Sequence, residues 1–142
     1  MKSVQSSKNP AFSLAVERFN SAYSDSSLED KIIDFAISYE LLFSKQKEGT
    51  DSVTHKLAVR LSRFIAENYK QRISIYKTIK ALYRKRSDIV HGNIKGSSQQ
   101  EKQSVARDFE EYMRISLKKY IEVFKTKNYS EHSNLIEEID FG

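Results

Sequence analysis

Cysteine and tryptophan are absent from this 142-residue chain, which also contains only one proline and four glycines. Without cysteine there is no disulfide, no thiolate metal ligand and no thiol nucleophile, which fits a reducing compartment. No apolar run approaches the ~20 residues that a membrane-spanning helix needs, and residues 1–8 lack the apolar centre of a signal peptide. These absences predict a cytoplasmic protein that does not associate with a membrane.

The shortage of helix breakers favours a single all-helical domain. One proline and four glycines leave long segments uninterrupted, whereas many short strands would need more turn residues. Hydrophobic residues make up 39% of the chain and charged residues 30%, so a modest core can be buried. We expect an all-α, up-and-down bundle of about five main helices with short connections, followed by a short C-terminal helix.

Helix start signals define the individual segments. Asn9 is placed to cap the first helix, and Pro10 suits its first helical position. Ser27 is placed to cap the second helix, and Ser97 or Ser98 the fifth; Ser27 and Ser98 each have an acidic residue three positions later. The third helix is predicted to end near Asn68.

The same signals divide the chain into three parts. Residues 1–9 are polar and are predicted to form a flexible leader. Residues 10–127 contain the periodic apolar segments and are predicted to be the helical domain. Residues 128–142 form an acidic tail in which a few apolar residues allow a short helix.

The fourth helix, predicted from about Gln71 to Val90, ends in the stretch that gives the strongest functional signal. Gly92 stops the helix, because glycine readily adopts the left-handed turn found past helix ends. Arg86 and His91 are five residues apart, so on a straight helix their side chains point about 140° apart. For both to share one site, the chain must unwind at His91, and Gly92 permits this. Cations are also favoured at helix C-termini, so the pair can instead be structural.

Residues 86–91, Arg-Ser-Asp-Ile-Val-His, match the R-x4-H signature of HEPN domains (higher eukaryote and prokaryote nucleotide-binding domains). The wider string from Leu82 to Gly92 resembles the Apea-like branch of that family. Upstream helical segments resemble it in the expected order: Ile32 to Phe35, Tyr39 to Phe43 and Lys56 to Arg60. The resemblance covers roughly residues 11–120. A helix that closes in R-S-x-I-V-H-G is much more specific than the R-x4-H spacing alone.

The resemblance implies a HEPN-like fold and metal-independent RNA cleavage, with no cofactor and no metal ion. His91 would take the proton of a ribose 2′-hydroxyl, because histidine titrates near neutral pH. Arg86 would stabilise the phosphoryl oxygens as they gain charge. Ser87 is the third catalytic candidate, at a position where the family often has Asn, Asp or His. Its hydroxyl can orient His91, hold a phosphate or simply bond back to the helix.

The resemblance also implies partners. Family members usually pair so that two R-x4-H motifs face one composite cleft. A homodimer would supply two histidines and two arginines, and the cleavage reaction benefits from both an acid and a base. The implied role is a defence, toxin or stress effector, with an antitoxin or a further domain of a longer protein as a partner.

Basic residues around the motif can form a rim that binds RNA. The formal net charge of +5 favours phosphate-bearing partners. The predicted RNA-binding residues are Lys77, Lys80, Arg84, Lys85 and Lys95, with Arg72 nearer the start of the same helix. These residues can also be an ordinary solvated helix face. The alternative function is therefore a non-catalytic helical module that binds RNA, a nucleotide or a partner protein.

Overall fold

The computed structural model describes residues 10–25, 27–45, 53–91, 98–126 and 132–142. Within these ranges the chain forms six α-helices and one short 3₁₀ turn, and it contains no strand. The helices are α1 (Pro10–Ser21), α2 (Leu28–Phe43), α3 (Val53–Ile65), α4 (Tyr69–His91), α5 (Gln99–Thr126) and α6 (His132–Phe141). The prediction of an all-α bundle with a short C-terminal helix is confirmed.

Both serine caps are present. The Ser27 hydroxyl accepts a hydrogen bond from the backbone N–H of Asp30 over 3.1 Å, and Ser98 accepts one from Glu101 over the same distance. Each cap satisfies one backbone donor that the first helical turn leaves unpaired, which contributes about 1 kcal/mol. The cap predicted at Asn9 lies outside the described residues.

The junction between α3 and α4 differs from the prediction. The third helix ends at Ile65 rather than near Asn68, and the fourth begins at Tyr69 rather than Gln71. The side-chain oxygen of Asn68 accepts from the Gln71 N–H over 2.9 Å, and the Gln71 side chain accepts in turn from the Glu67 N–H over 2.8 Å. Asn68 therefore caps the helix that follows it and does not belong to the helix before it.

Helix α2 lies at the centre of the bundle, where it packs along α1 and α5. The buried Ser38 hydroxyl donates to the Ala15 carbonyl over 2.6 Å, which holds α1 close. The Tyr39 ring lies 5.1 Å from the Phe109 ring, and its hydroxyl donates to the Phe109 carbonyl. Full burial of an apolar side chain such as Phe109 stabilises the fold by roughly 1.5–3 kcal/mol.

Helix α6 packs into the bundle through three buried side chains, Leu135, Ile136 and Ile139. A charged contact adds to this packing. Arg60 on α3 is almost fully buried and donates two hydrogen bonds to the Asp140 carboxylate, over 3.0 and 3.1 Å. The packed core therefore extends past residue 127, and the acidic tail supplies part of it.

Candidate active site

Three buried side chains, Ile79, Leu82 and Tyr83, fix the C-terminal half of α4 against the bundle. The Tyr83 hydroxyl donates to the Ala36 carbonyl over 3.2 Å, and its ring meets the edge of Phe109 at 5.5 Å. Burial raises the pKa of Tyr83 well above its ordinary value, so the hydroxyl remains a donor at neutral pH. The end of α4 is thus held at a fixed angle to α2 and α5.

His91 is the last residue of α4, and its side chain is exposed. Its Nδ1 lies 2.8 Å from the Ser87 carbonyl oxygen and 3.3 Å from the Ser87 hydroxyl. A carbonyl oxygen can only accept, so Nδ1 must carry the proton of this hydrogen bond. In the neutral ring the lone pair then belongs to Nε2. This is the tautomer that a general base acting through Nε2 needs.

Arg86 is half-buried and faces α2. Its guanidinium carbon lies 6.0 Å from the centre of the Tyr83 ring, within the range of a cation–π contact. Its Nε is buried and has no hydrogen-bond partner among the described residues. Glu40 lies close by: burial raises the pKa of its carboxyl group, and the positive charge of Arg86 partly offsets this.

The sequence alone predicts no functional role for Glu40. Its string, Glu-Leu-Leu-Phe, contributes to the family resemblance, but only the packing of α2 on α4 shows that it faces Arg86. Because Glu40 is itself partly desolvated, its attraction for the guanidinium is stronger than it would be in water. Glu40 and the Tyr83 ring together limit the directions in which Arg86 can point.

No described hydrogen bond or ion pair joins Arg86 to His91. The helix stays regular as far as His91, so within one chain the two side chains diverge by about 140°. The predicted unwinding would involve residues 92–97, which lie outside the described residues. The structure brings Ser87 to His91, and it brings Glu40 and Tyr83 to Arg86. The approach of Arg86 to His91 remains a prediction.

The basic residues of α4 fall into two groups. Lys77, Lys80 and Arg84 lie on the same side of the helix as His91, within about 60° of one another. Lys77 and Arg84 are exposed and Lys80 is half-exposed. Lys77, Lys80 and Arg84 together form a basic stripe. Lys85 is exposed but points about 120° away from His91.

The other two predicted basic residues do not join the stripe. Lys95 lies outside the described residues. Arg72 is exposed near the start of α4, where it lines a separate cavity. The sequence spacing of 77, 80, 84 and 91 already contains the stripe, because steps of three, four and seven residues return to the same helix face.

The described parts of the chain contain neither a candidate metal site nor a candidate membrane-spanning helix. No group of three or more His, Asp or Glu side chains is placed to hold a metal ion there. None of the described helices has both the length and the apolar character needed to cross a membrane.

Comparison with models of protein families, with curated proteins and with solved structures finds no match for this chain.

Proposed function

We propose that this chain is a metal-independent endoribonuclease in which His91 of one copy and Arg86 of a second copy act on the same phosphate. His91 removes the proton of the ribose 2′-hydroxyl, and the oxygen attacks the adjacent phosphorus. Arg86 stabilises the charge that develops on the phosphoryl oxygens. The products are a 2′,3′-cyclic phosphate and a 5′-hydroxyl. The resemblance of residues 82–92 to HEPN domains supplies the reaction class.

The observation that carries the proposal is the hydrogen bond from His91 Nδ1 to the Ser87 carbonyl, 2.8 Å long. It holds the neutral ring in the tautomer that leaves the lone pair on Nε2. An exposed surface histidine with no such bond would rotate freely and would sample both tautomers. Orientation of a base by a second group is the arrangement that general-base catalysis uses.

The divergence of Arg86 and His91 favours a site shared between two copies. One chain alone holds the two side chains apart, because α4 is regular between them. A twofold axis near the end of α4 places the arginine of each copy opposite the histidine of the other. Arg86 is already restrained by Glu40 and Tyr83, which lowers the cost of fixing it for the reaction.

We expect the wild-type protein to cleave single-stranded RNA in the presence of EDTA, and His91→Ala to reduce the rate by about 10²–10⁴-fold. His55→Ala is the matched control. His55 is also exposed, and its Nδ1 lies 2.8 Å from the Tyr76 hydroxyl, away from the end of α4. Arg86→Lys keeps the charge but loses the planar fork, so it should also impair cleavage. Circular dichroism would show that each variant remains folded.

A mixing experiment tests the shared site. Arg86→Ala and His91→Ala are each inactive, but half of the dimers in an equilibrated equimolar mixture contain one copy of each. Every mixed dimer has one intact Arg–His pair out of two, so the mixture should recover about a quarter of wild-type activity. No recovery, in a mixture shown by light scattering to contain dimers, would place both groups in one chain.

The basic stripe favours a second candidate, a non-catalytic module that binds RNA. Under this reading the wild-type protein binds RNA but leaves it intact, and His91→Ala binds equally well. Lys80→Gln combined with Arg84→Gln should weaken binding in either case and lower its salt dependence. Cleavage of RNA by the wild type decides between the two candidates. If cleavage occurs, toxicity on expression and its relief by a co-expressed inhibitor would test the role of a toxin or defence effector.

A further inference from the structure

A cavity of about 540 Å³ lies at the end of α4 opposite His91, between α3, α5 and α6. Arg72, which lines it, precedes His91 by nineteen residues on the same helix, a distance of about 28 Å along the axis. The cavity is therefore separate from the candidate active site. Its volume falls within the range of small-molecule sites in proteins, about 300–1,000 Å³.

The cavity combines an apolar floor with a cationic rim. Phe64, Leu135 and Ile139 line it and are otherwise buried in the core. The rim carries Arg63, Arg72 and Lys119, which come from α3, α4 and α5 respectively. Three different helices thus bring a positive charge to one concave surface.

None of these three cations has a described hydrogen bond or ion pair to a carboxylate side chain. Arg63 donates to the backbone carbonyls of Ile139 and Asp140 over 3.1 and 2.8 Å, and Lys119 donates to the Phe64 carbonyl. A carbonyl satisfies one donor but supplies no full negative charge, and each cation retains further donors.

Two carboxylates of α6 also line the cavity. Asp140 is already neutralised by Arg60, through contacts of 3.0 and 3.1 Å. Glu138 therefore faces the three cations. Three positive charges against this one carboxylate leave the cavity with a positive surplus.

We propose that this cavity binds a small phosphate monoester that carries an apolar body. A phosphate group near neutral pH carries a charge of about −1.5 to −2 and three acceptor oxygens, which suits three converging cations better than a carboxylate does. The Arg63 and Arg72 guanidinium groups can each form paired hydrogen bonds to it. The apolar floor of Phe64, Leu135 and Ile139 receives the body of the ligand.

Phenyl phosphate is the probe, because it joins a phosphate head to an apolar body of suitable size. Titration into ¹⁵N-labelled full chain should shift the amide signals of Phe64, Arg72 and Leu135 and leave those of Ser87 and His91 in place. Phenyl phosphate should bind about tenfold more tightly than inorganic phosphate, since only the former buries apolar surface. Phenol, which lacks the charged phosphate group, should also bind more weakly than phenyl phosphate.

Arg72→Gln tests the cationic rim without disturbing the fold, because Arg72 is exposed and its side chain has no described structural contact. We expect about a tenfold loss of phenyl phosphate affinity. Lys70→Gln is the matched control: Lys70 is exposed on the same helix turn, carries the same charge and does not line the cavity. That variant should change affinity by less than about twofold, as expected of a solvent-screened charge outside the cavity.

Further arms of the titration distinguish sources of the ligand. Tighter binding of adenosine monophosphate than of dodecyl phosphate would indicate that the natural ligand is a soluble nucleotide. The opposite order of affinities would indicate a lipid-like phosphate. Equal losses in Arg72→Gln and Lys70→Gln would overturn the proposal, because they would show attraction to net charge alone. Absence of saturable shifts at millimolar phenyl phosphate would overturn it too. The result is independent of whether the chain cleaves RNA.

Discussion

Replacing Asp140 with asparagine is expected to lower the free energy of unfolding by about 3 kcal/mol, a large share of the stability of a small domain. The substitution keeps the size of the side chain but removes its charge. Arg60 then faces a neutral amide in place of the carboxylate, although it still donates to the Phe43 carbonyl over 2.8 Å. Its side chain is only 6% exposed, so water cannot replace the lost carboxylate.

The double variant Arg60→Met with Asp140→Leu should be less destabilised than Asp140→Asn alone. Removing both charges removes the desolvation cost together with the attraction, and apolar side chains can fill the space. Lys102→Ala is the control at a more exposed ion pair, Lys102 to Glu29 at 3.0 Å, and should cost less than about 1 kcal/mol. Urea unfolding followed by circular dichroism measures all three. An additive result, with the double variant the least stable, would contradict this account of the contact.

The contact also shows where the sequence stops being informative. The apolar spacing within 128–142 is enough to predict a short helix, and the structure has one at His132–Phe141. Docking of that helix depends on Arg60 meeting Asp140, a pair eighty residues apart in the chain. No local pattern encodes such a pairing, because either residue alone reads as an ordinary charged surface position.

The helices themselves were accessible because periodicity and caps are local. Ser27 and Ser98 each bond to a backbone N–H three residues later, as their positions predict. The end of the third helix was predicted wrongly at Asn68 for an equally local reason, because a polar residue at a helix junction can end one helix or begin the next. Its bond to the Gln71 N–H settles the choice, and that bond is visible only in the structure.

The candidate site was only partly predictable. Helical geometry alone predicts that the side chains of Arg86 and His91 diverge, and α4 is indeed regular as far as His91. The direction in which each side chain points depends on which face of α4 packs against α2. That packing turns Arg86 towards Glu40 and leaves His91 on the exposed side with the basic stripe.

His132 is expected to make the fold sensitive to acid. It is the first residue of α6, its Nδ1 lies 2.9 Å from the Tyr120 hydroxyl, and its ring stacks on the Tyr120 ring at 5.8 Å. Burial lowers the pKa of His132 from 6.5 to about 4, and the charge of Arg60 acts in the same direction. The backbone carbonyls of Ser44 and Leu42 oppose this shift but do not overcome it.

The sign follows from the depressed pKa. The unfolded chain binds a proton at His132 near pH 6.5, whereas the folded chain resists protonation until about pH 4. The contribution of His132 to stability is therefore complete above pH 6.5 and is lost as the pH falls towards 4. A shift of this size corresponds to roughly 3 kcal/mol at its limit. The positive end of the α6 helix dipole also disfavours a charged ring at this position.

A second group titrates in the same window with the opposite sign. The hydrogen bond to Asp34 raises the pKa of Asp25 to about 6, so protonation of Asp25 stabilises the fold as the pH falls. The informative quantity is therefore the difference in acid sensitivity between the wild type and His132→Gln, which removes the titration but keeps a polar side chain beside Tyr120. Urea unfolding from about pH 7 to about pH 4.5 should show the wild type losing up to about 3 kcal/mol more than this variant.

His55→Gln is the matched control, because His55 is exposed on α3 and its Nδ1 lies 2.8 Å from the hydroxyl of Tyr76 on α4. It should keep the acid sensitivity of the wild type. A wild type and a His132→Gln variant that lose stability in parallel would show that His132 is not the sensitive group. In the expected case, amide exchange at pH 5 should quicken first in α6, since a protonated His132 ring cannot remain buried beside Arg60.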